Sequence, residues 1–236
     1  MRTPKSKSTR TTTPQFQEQA KAINSKLTQL DLDEIKNLMK VSDNLAISTK
    51  DRIQNWATAD KYRAIELFAG DIYTKLDANS LSAEDLDYAQ KRLLILSGLY
   101  GILRPLDLIA PYRLEMGHRI RIGECNNLYE YWGNHLEGAI LKSDTYLHLS
   151  SEEYFKTIKP IINPAAKVIA PIFLTLKNNT AKQVTIHSKV ARGAYVNWLL
   201  RYRIEDINLL PSFDQLDYIY SDELSTELNP TYIRTA

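Results

Sequence analysis

The chain has 236 residues and a mass of 27.1 kDa, 25% charged and 44% hydrophobic, enough to bury a sizeable core. Eight glycines and nine prolines exclude a fibrous or low-complexity protein, and a lone cysteine, Cys125, excludes an internal disulfide and a cysteine-rich zinc site. The net charge of +2 averages unlike regions: residues 1–13 carry four bases and no acid, residues 205–236 carry seven acids against Arg234, and residues 154–203 carry nine bases and no acid.

Residues 1–14, rich in Thr, Ser, Lys and Pro, read as a basic mobile tail ahead of one domain over 15–236. No apolar run follows the basic start, so it does not read as a secretory leader. The longest nearly apolar stretch, 93–103, is about half a membrane span. A reduced cytoplasm is the expected compartment. From 15 to 56 the pattern is helical, with Asp31 and Glu34 as a capping box and Ser42 or Asp43 opening a further helix. Residues 64–68 read as a short helix and 72–76 as extended. Ser82, Asp85 and the spacing of Leu86, Ala89, Leu93 and Leu96 predict a helix over 82–97. Another is predicted over 128–141, and Ser150 with Glu153 predicts a capping box on a short helix before Pro160. Strand signals lie at 145–149, 168–174, 183–188 and 216–220, with a hairpin turn at Asn178 and Asn179. The last strong helix, 189–203, places Ala191, Tyr195, Trp198, Leu199 and Tyr202 on one arc and Lys189, Arg192 and Arg203 on the adjoining one. Helices first and most strands later make the class α+β.

Two segments carry candidate chemistry. Gly98 and Gly101, between apolar runs, have the outline of a helix-hairpin-helix: glycines admit close backbone approach, and N–H groups at a helix start can bond a phosphate. Ser97, Gly98, Tyr100 and Gly101 would make that contact, with Arg104 adding charge. An ordinary tight turn between core helices has the same outline. Arg113 and Glu115 alternate with Leu114 and Met116, so in an extended segment they face one side, as a substrate-gripping pair or as a structural ion pair. Tyr131, Trp132 and Gly133 and residues 150–154 could line the same cleft or serve packing and capping respectively. His118, His135, His148 and His187 show no metal-ligand spacing, and no Walker loop, Gly-x-Ser-x-Gly or Gly-x-Gly-x-x-Gly occurs, so no metal or cofactor is predicted. The acid-free block reads as an anion-facing surface or as several solvated faces.

Residues 96–117, Leu-Ser-Gly-Leu-Tyr-Gly-Ile-Leu-Arg-Pro-Leu-Asp-Leu-Ile-Ala-Pro-Tyr-Arg-Leu-Glu-Met-Gly, resemble the hallmark block of the YaaA family, also called DUF328 or UPF0246. Residues 38–45, 68–76, 128–133, 151–160 and 188–193, the last with its Ala-Arg-Gly, match in order, so the resemblance spans roughly 8–236. It implies a bacterial cytoplasmic protein of peroxide resistance that limits oxidative damage by keeping unincorporated iron low. It also implies a single-domain mixed α/β fold with an embedded helix-hairpin-helix, a positively charged cleft and DNA binding. By that resemblance residues 97–104 are the hairpin, and Lys182, Lys189 and Arg192 belong to the cleft. Family members begin with a short apolar strand and Ser-Pro-Ala-Lys; here Thr3-Pro4-Lys5 echoes the motif without the strand, an expected unpaired sheet edge.

The expected function is therefore sequence-nonspecific binding to the DNA phosphate backbone, through Ser97, Gly98, Tyr100, Gly101, Arg104, Lys182, Lys189, Arg192 and Arg203. The alternative is an enzyme acting on a nucleotide or damaged nucleic acid at Arg113 and Glu115.

Overall fold

The computed structural model describes Met1 and residues 10–178 and 180–235. In chain order the elements are α1 (Gln17–Thr28), α2 (Leu32–Met39), α3 (Asp43–Gln54), β1 (Tyr62–Arg63), α4 (Ala64–Leu67), α5 (Asp71–Leu76), α6 (Ala83–Arg92), β2 (Ile95–Ser97), β3 (Gly101–Leu103), β4 (Leu108–Ile109), α7 (Leu128–Gly133), β5 (Thr145–Leu147), α8 (Glu152–Ile158), β6 (Lys167–Ile169), β7 (Ile172–Lys177), β8 (Thr180–Lys182), α9 (Thr185–Tyr202), β9 (Ile219–Tyr220) and β10 (Thr231–Thr235). The class is mixed α and β with small sheets. Among the described residues no helix is long and apolar enough to cross a membrane.

One domain is expected over 15–236; the contacts divide the chain into two compact units whose sequences interleave. The first is Met1–Leu67, Leu93–Leu141 and Ser150–Ile162, the second Phe68–Arg92, Lys142–Leu149 and Asn163–Ala236. Of the expected tail over 1–14, residues 2–9, and with them Thr3-Pro4-Lys5, lie outside the described residues. Thr12 is docked: its N–H donates to the Leu106 carbonyl at 2.8 Å and its hydroxyl to Asp107 at 2.6 Å.

In the first unit the Asp31–Glu34 capping box forms in both directions, each bond 2.8 Å, and opens α2. The main departure is at the centre. Residues 95–103 are a β-hairpin and not two helices: Ile95 opposes Leu103, Leu96 opposes Ile102 and Ser97 opposes Gly101. Gly101 has φ +69°, the left-handed glycine that closes a three-residue hairpin loop. A Cβ on Gly98 would sit 2.4 Å from the Leu114 carbonyl oxygen, and one on Gly101 would sit 2.7 Å from the Trp132 ring. The Trp132 indole N–H donates to the Gly98 carbonyl at 2.9 Å, and Trp132 is fully buried. The glycines serve close packing inside the unit. The helix predicted over 82–97 accordingly stops at Arg92, and the one predicted over 128–141 stops at Gly133.

In the second unit β7 pairs β8 antiparallel and β10 parallel, and β10 pairs β9, giving the order β8-β7-β10-β9. Phe173 of β7 and Tyr232 of β10 are register partners and pack with Ala191, Tyr195 and Trp198 of α9. Residues 72–76, expected to be extended, are helical in α5, and residues 185–188, expected in a strand, are the first turn of α9. A Cβ on Gly193 would fall 1.9 Å from the Ile72 carbonyl oxygen, so α5 lies with its backbone against α9 there. With α5 on one side and the sheet on another, residues 193–198 of α9 are all buried, in place of the single buried face predicted. Tyr202, predicted to belong to that face, is 66% exposed at the helix end.

Candidate functional site

In the first unit residues 112–118 carry a polar cluster. Tyr112, Leu114 and Met116 point into the core, so alternation puts Arg113, Glu115 and Gly117 on the other side. Glu115 and His118 close a turn in which the His118 N–H donates to the Glu115 carbonyl at 3.2 Å and the Glu115 N–H donates to His118 Nδ1 at 2.9 Å. The start of α8 grips this turn twice: Gly117 N–H donates to Glu153 Oε1 at 2.8 Å, and the Tyr154 hydroxyl donates to the Glu115 carboxylate. Glu153 is thus not the cap expected with Ser150; Ser151 caps α8 by position, without a side-chain bond. The ion pair considered for Arg113 and Glu115 does not form, and Arg113 Nε is buried with no hydrogen-bond partner among the described residues. Burial pulls the His118 pKa below its ordinary 6.5, Arg113 adds to that, and Glu115 and Glu153 oppose it. Burial raises the Tyr154 pKa, with Tyr112 and Glu115 adding to it, so Tyr154 stays a donor.

In the second unit a different cluster lies where the core face of the sheet runs out. Phe173, Thr175 and Lys177 alternate onto one face of β7, passing from buried to exposed. Lys182 on β8 and Arg234 on β10 are both register partners of Thr175, forming a row across three strands. His187, from the first turn of α9, bonds to two members of that row: Nδ1 lies 3.0 Å from Thr175 Oγ1 and Nε2 lies 3.4 Å from the Arg234 guanidinium. A guanidinium only donates, so Nε2 accepts and Nδ1–H donates to Thr175. Lys189, two residues and about half a turn further along α9, is exposed. The α9 N-terminus has no side-chain cap and no acid in its first turn, leaving its partial positive charge uncompensated. Among the described residues Lys177, Lys182, Lys189 and Arg234 have no carboxylate partner.

The profile of a family described as peroxide stress protein YaaA matches residues 1–224. A UPF0246 protein of Shewanella sp. (strain MR-4) is 41% identical over 213 residues, covering 86% of this chain and 82% of that protein. Another, from Shewanella oneidensis, is 39% identical over 236 residues, covering 95% and 91% respectively. A third, from Aliivibrio fischeri (strain MJ11), is 39% identical over 203 residues, covering 82% and 78%. This chain belongs to the YaaA peroxide stress protein family.

In this YaaA-family chain the residues singled out in the sequence fall into both units. Ser97, Gly98, Tyr100 and Gly101 are buried in the hairpin of the first: the Ser97 hydroxyl accepts from the Tyr100 N–H at 2.9 Å, and the Tyr100 hydroxyl accepts from the Trp56 indole at 3.0 Å. Those four therefore present no surface to a phosphate. Arg104 is half-buried beyond the hairpin, its N–H donating to Asp107 at 2.7 Å. The acid-free block is also divided, with residues 154–162 in the first unit and 163–203 in the second. Within the second, Arg203 sits 3.4 Å from Asp85 and over the Tyr88 ring, and Lys167 pairs with Glu227. Arg192 is half-buried. Lys182 and Lys189 remain exposed. Sequence reading assigns no site role to Thr175, His187 or Arg234. Arg234 was hidden in an acidic stretch, although the Thr-Tyr-Ile-Arg-Thr after Pro230 has a strand's alternation.

Proposed function

We propose that this YaaA-family chain supports peroxide resistance by binding nucleic acid through its phosphates, without regard to base sequence, at the Lys177, Lys182, Lys189 and Arg234 end of the second unit. The observation that carries the reading is the row Lys182–Thr175–Arg234 beside an uncapped helix start, with cations on three strands and a helix and no carboxylate answering them. Phosphodiester oxygens are the acceptors such donors fit, and contacts of this type set orientation on a duplex without reading bases. The hairpin glycines make no part of the interface.

The reading also links binding to peroxide. Condensed cations leave the backbone when protein cations replace them. Divalent iron held there gives one electron to peroxide, becoming ferric and splitting the O–O bond into hydroxide and a hydroxyl radical beside the sugar, so a bound protein that displaces it moves that chemistry away from the strand. The test is strand nicking of a supercoiled plasmid by ferrous iron and peroxide. The wild-type chain should suppress nicking equally on plasmids of unrelated sequence, and the Lys182→Ala/Lys189→Ala variant should suppress it less. Equal protection by the two proteins, or protection that follows base sequence, contradicts the reading.

A further inference from the structure

Beside its exposed lysines the second unit has a recessed group of donors. Thr175 is buried and His187 and Arg234 are half-buried, whereas Lys177, Lys182 and Lys189 are exposed. Arg234 is fixed from two directions: register sets it beside Thr175, and its guanidinium lies 5.8 Å over the Tyr218 ring. Of its donors, one meets His187 Nε2 at 3.4 Å, near the limit of a hydrogen bond, and Nε is buried with no partner among the described residues. A buried guanidinium N–H without an acceptor is costly, and an anionic oxygen supplies what is missing.

The spacing suits one such oxygen. His187 Nε2 and Arg234 Nη2, 3.4 Å apart, form an edge on which an oxygen about 2.8 Å from each closes a triangle. The two nitrogens stay in place; only the ring hydrogen changes position. Without a ligand, Nδ1–H donates to the Thr175 hydroxyl and Nε2 accepts from Arg234. A hydroxyl also donates, so Thr175 can turn its hydrogen to Nδ1. The neutral ring then carries its own hydrogen on Nε2 and aims it at the oxygen that Arg234 holds. The charge of the imidazole is unchanged.

A phosphodiester within a strand is tied to a sugar on both sides, so it lies across exposed lysines and does not enter a recess. A phosphate monoester is tied on one side only, carries more charge and offers three free oxygens. We propose that Thr175, His187 and Arg234 form a pocket for the phosphate monoester at the end of a nucleic-acid strand, and that binding moves the His187 ring hydrogen from Nδ1 to Nε2. The pocket rests on the nucleic-acid reading and adds to it: the lysines hold a strand anywhere along its length, and the pocket holds its end.

The test uses the full chain and one DNA stem-loop ending in a 5′-phosphate, a 3′-phosphate or hydroxyls only, with affinity read by fluorescence anisotropy. One of the phosphate ends should bind about tenfold tighter than the hydroxyl end, the gain of a charge-assisted hydrogen bond. His187→Phe and Arg234→Lys should each bring that ratio close to one, so the test does not depend on one variant folding. Lys182→Ala/Lys189→Ala should weaken all three stem-loops together and keep the ratio. Nitrogen NMR, with the imidazole assigned through His187→Phe, should show Nδ1 losing its hydrogen and Nε2 gaining one when the phosphate-ended stem-loop is added. Equal affinity for phosphate and hydroxyl ends in the wild-type chain overturns the pocket, and a weaker double-lysine variant then still supports the backbone reading. A ratio that survives both His187→Phe and Arg234→Lys, or an unchanged His187 tautomer, also overturns the pocket. A free mononucleotide binding as tightly as the phosphate-ended stem-loop overturns its assignment to strand ends. Failure of every stem-loop to bind removes both readings.

Discussion

The Gly117 backbone N–H donates to Glu153 Oε1 at 2.8 Å across 36 residues of sequence, and through that bond α8 holds the turn that carries Glu115 and His118. The contact is close enough that a Cβ on Gly117 would lie 3.1 Å from the same oxygen.

Glu153→Ala removes the acceptor while Glu153→Gln keeps one. A hydrogen bond to a charged carboxylate contributes about 1.5 kcal/mol, close to a factor of ten in local opening. Hydrogen exchange at the Gly117 amide should therefore quicken by about tenfold in the Ala variant and by clearly less in the Gln variant. Equal exchange in both would show that α8 does not hold the turn.

The hairpin glycines are required by packing. Gly98→Ala drives a methyl into the Leu114 carbonyl, and Gly101→Ala adds a ring clash to a left-handed φ. Each should lower unfolding free energy by about 2 kcal/mol or more in denaturant titrations. Gly133→Ala, in α7 with open space around it, should be neutral or stabilising by less than about 1 kcal/mol. Mild effects at Gly98 and Gly101 would contradict the hairpin's place in the core.

Acid should weaken the fold in part through His118. Its folded pKa is lowered below 6.5 by burial, with Arg113 adding and Glu115 and Glu153 opposing. As pH falls through about 6.5 the unfolded chain takes up the proton first, so stability declines from there down to the folded value and is fully present above. Urea titrations across this window should show a shallower decline for His118→Gln. Identical pH dependence in the two proteins would mean the imidazole is not desolvated as described.

Local signals in the sequence translated well. Asp31 with Glu34 and Ser82 with Asp85 form the boxes their spacing predicts, because both partners lie within one turn. The Gly98–Gly101 segment did not, because two glycines between apolar runs suit a helical turn and a strand hairpin equally. The Leu114 carbonyl and the Trp132 ring, 16 and 31 residues beyond Gly98 and Gly101, decide between them. The site followed the same division. Alternation alone places Arg113 and Glu115 on one side of their segment. Nothing local announces that Tyr154 bonds Glu115, or that Thr175 stands between Lys182 and Arg234, since β-register joins residues from three separate stretches. Glu153 shows the converse: a capping motif legible in the sequence gives up its carboxylate to a tertiary partner.

The proposed binding of nucleic acid by the exposed lysines of the second unit is most directly tested by the salt dependence of duplex affinity. Each lost phosphate contact lowers the slope of log affinity against log salt by about 0.9, so Lys182→Ala/Lys189→Ala should be shallower than the wild-type chain by about 1.8. Arg203→Ala, removing a side chain already held by Asp85 and Tyr88, should leave the slope unchanged. A double-lysine variant with wild-type slope and affinity would contradict the assignment of that surface.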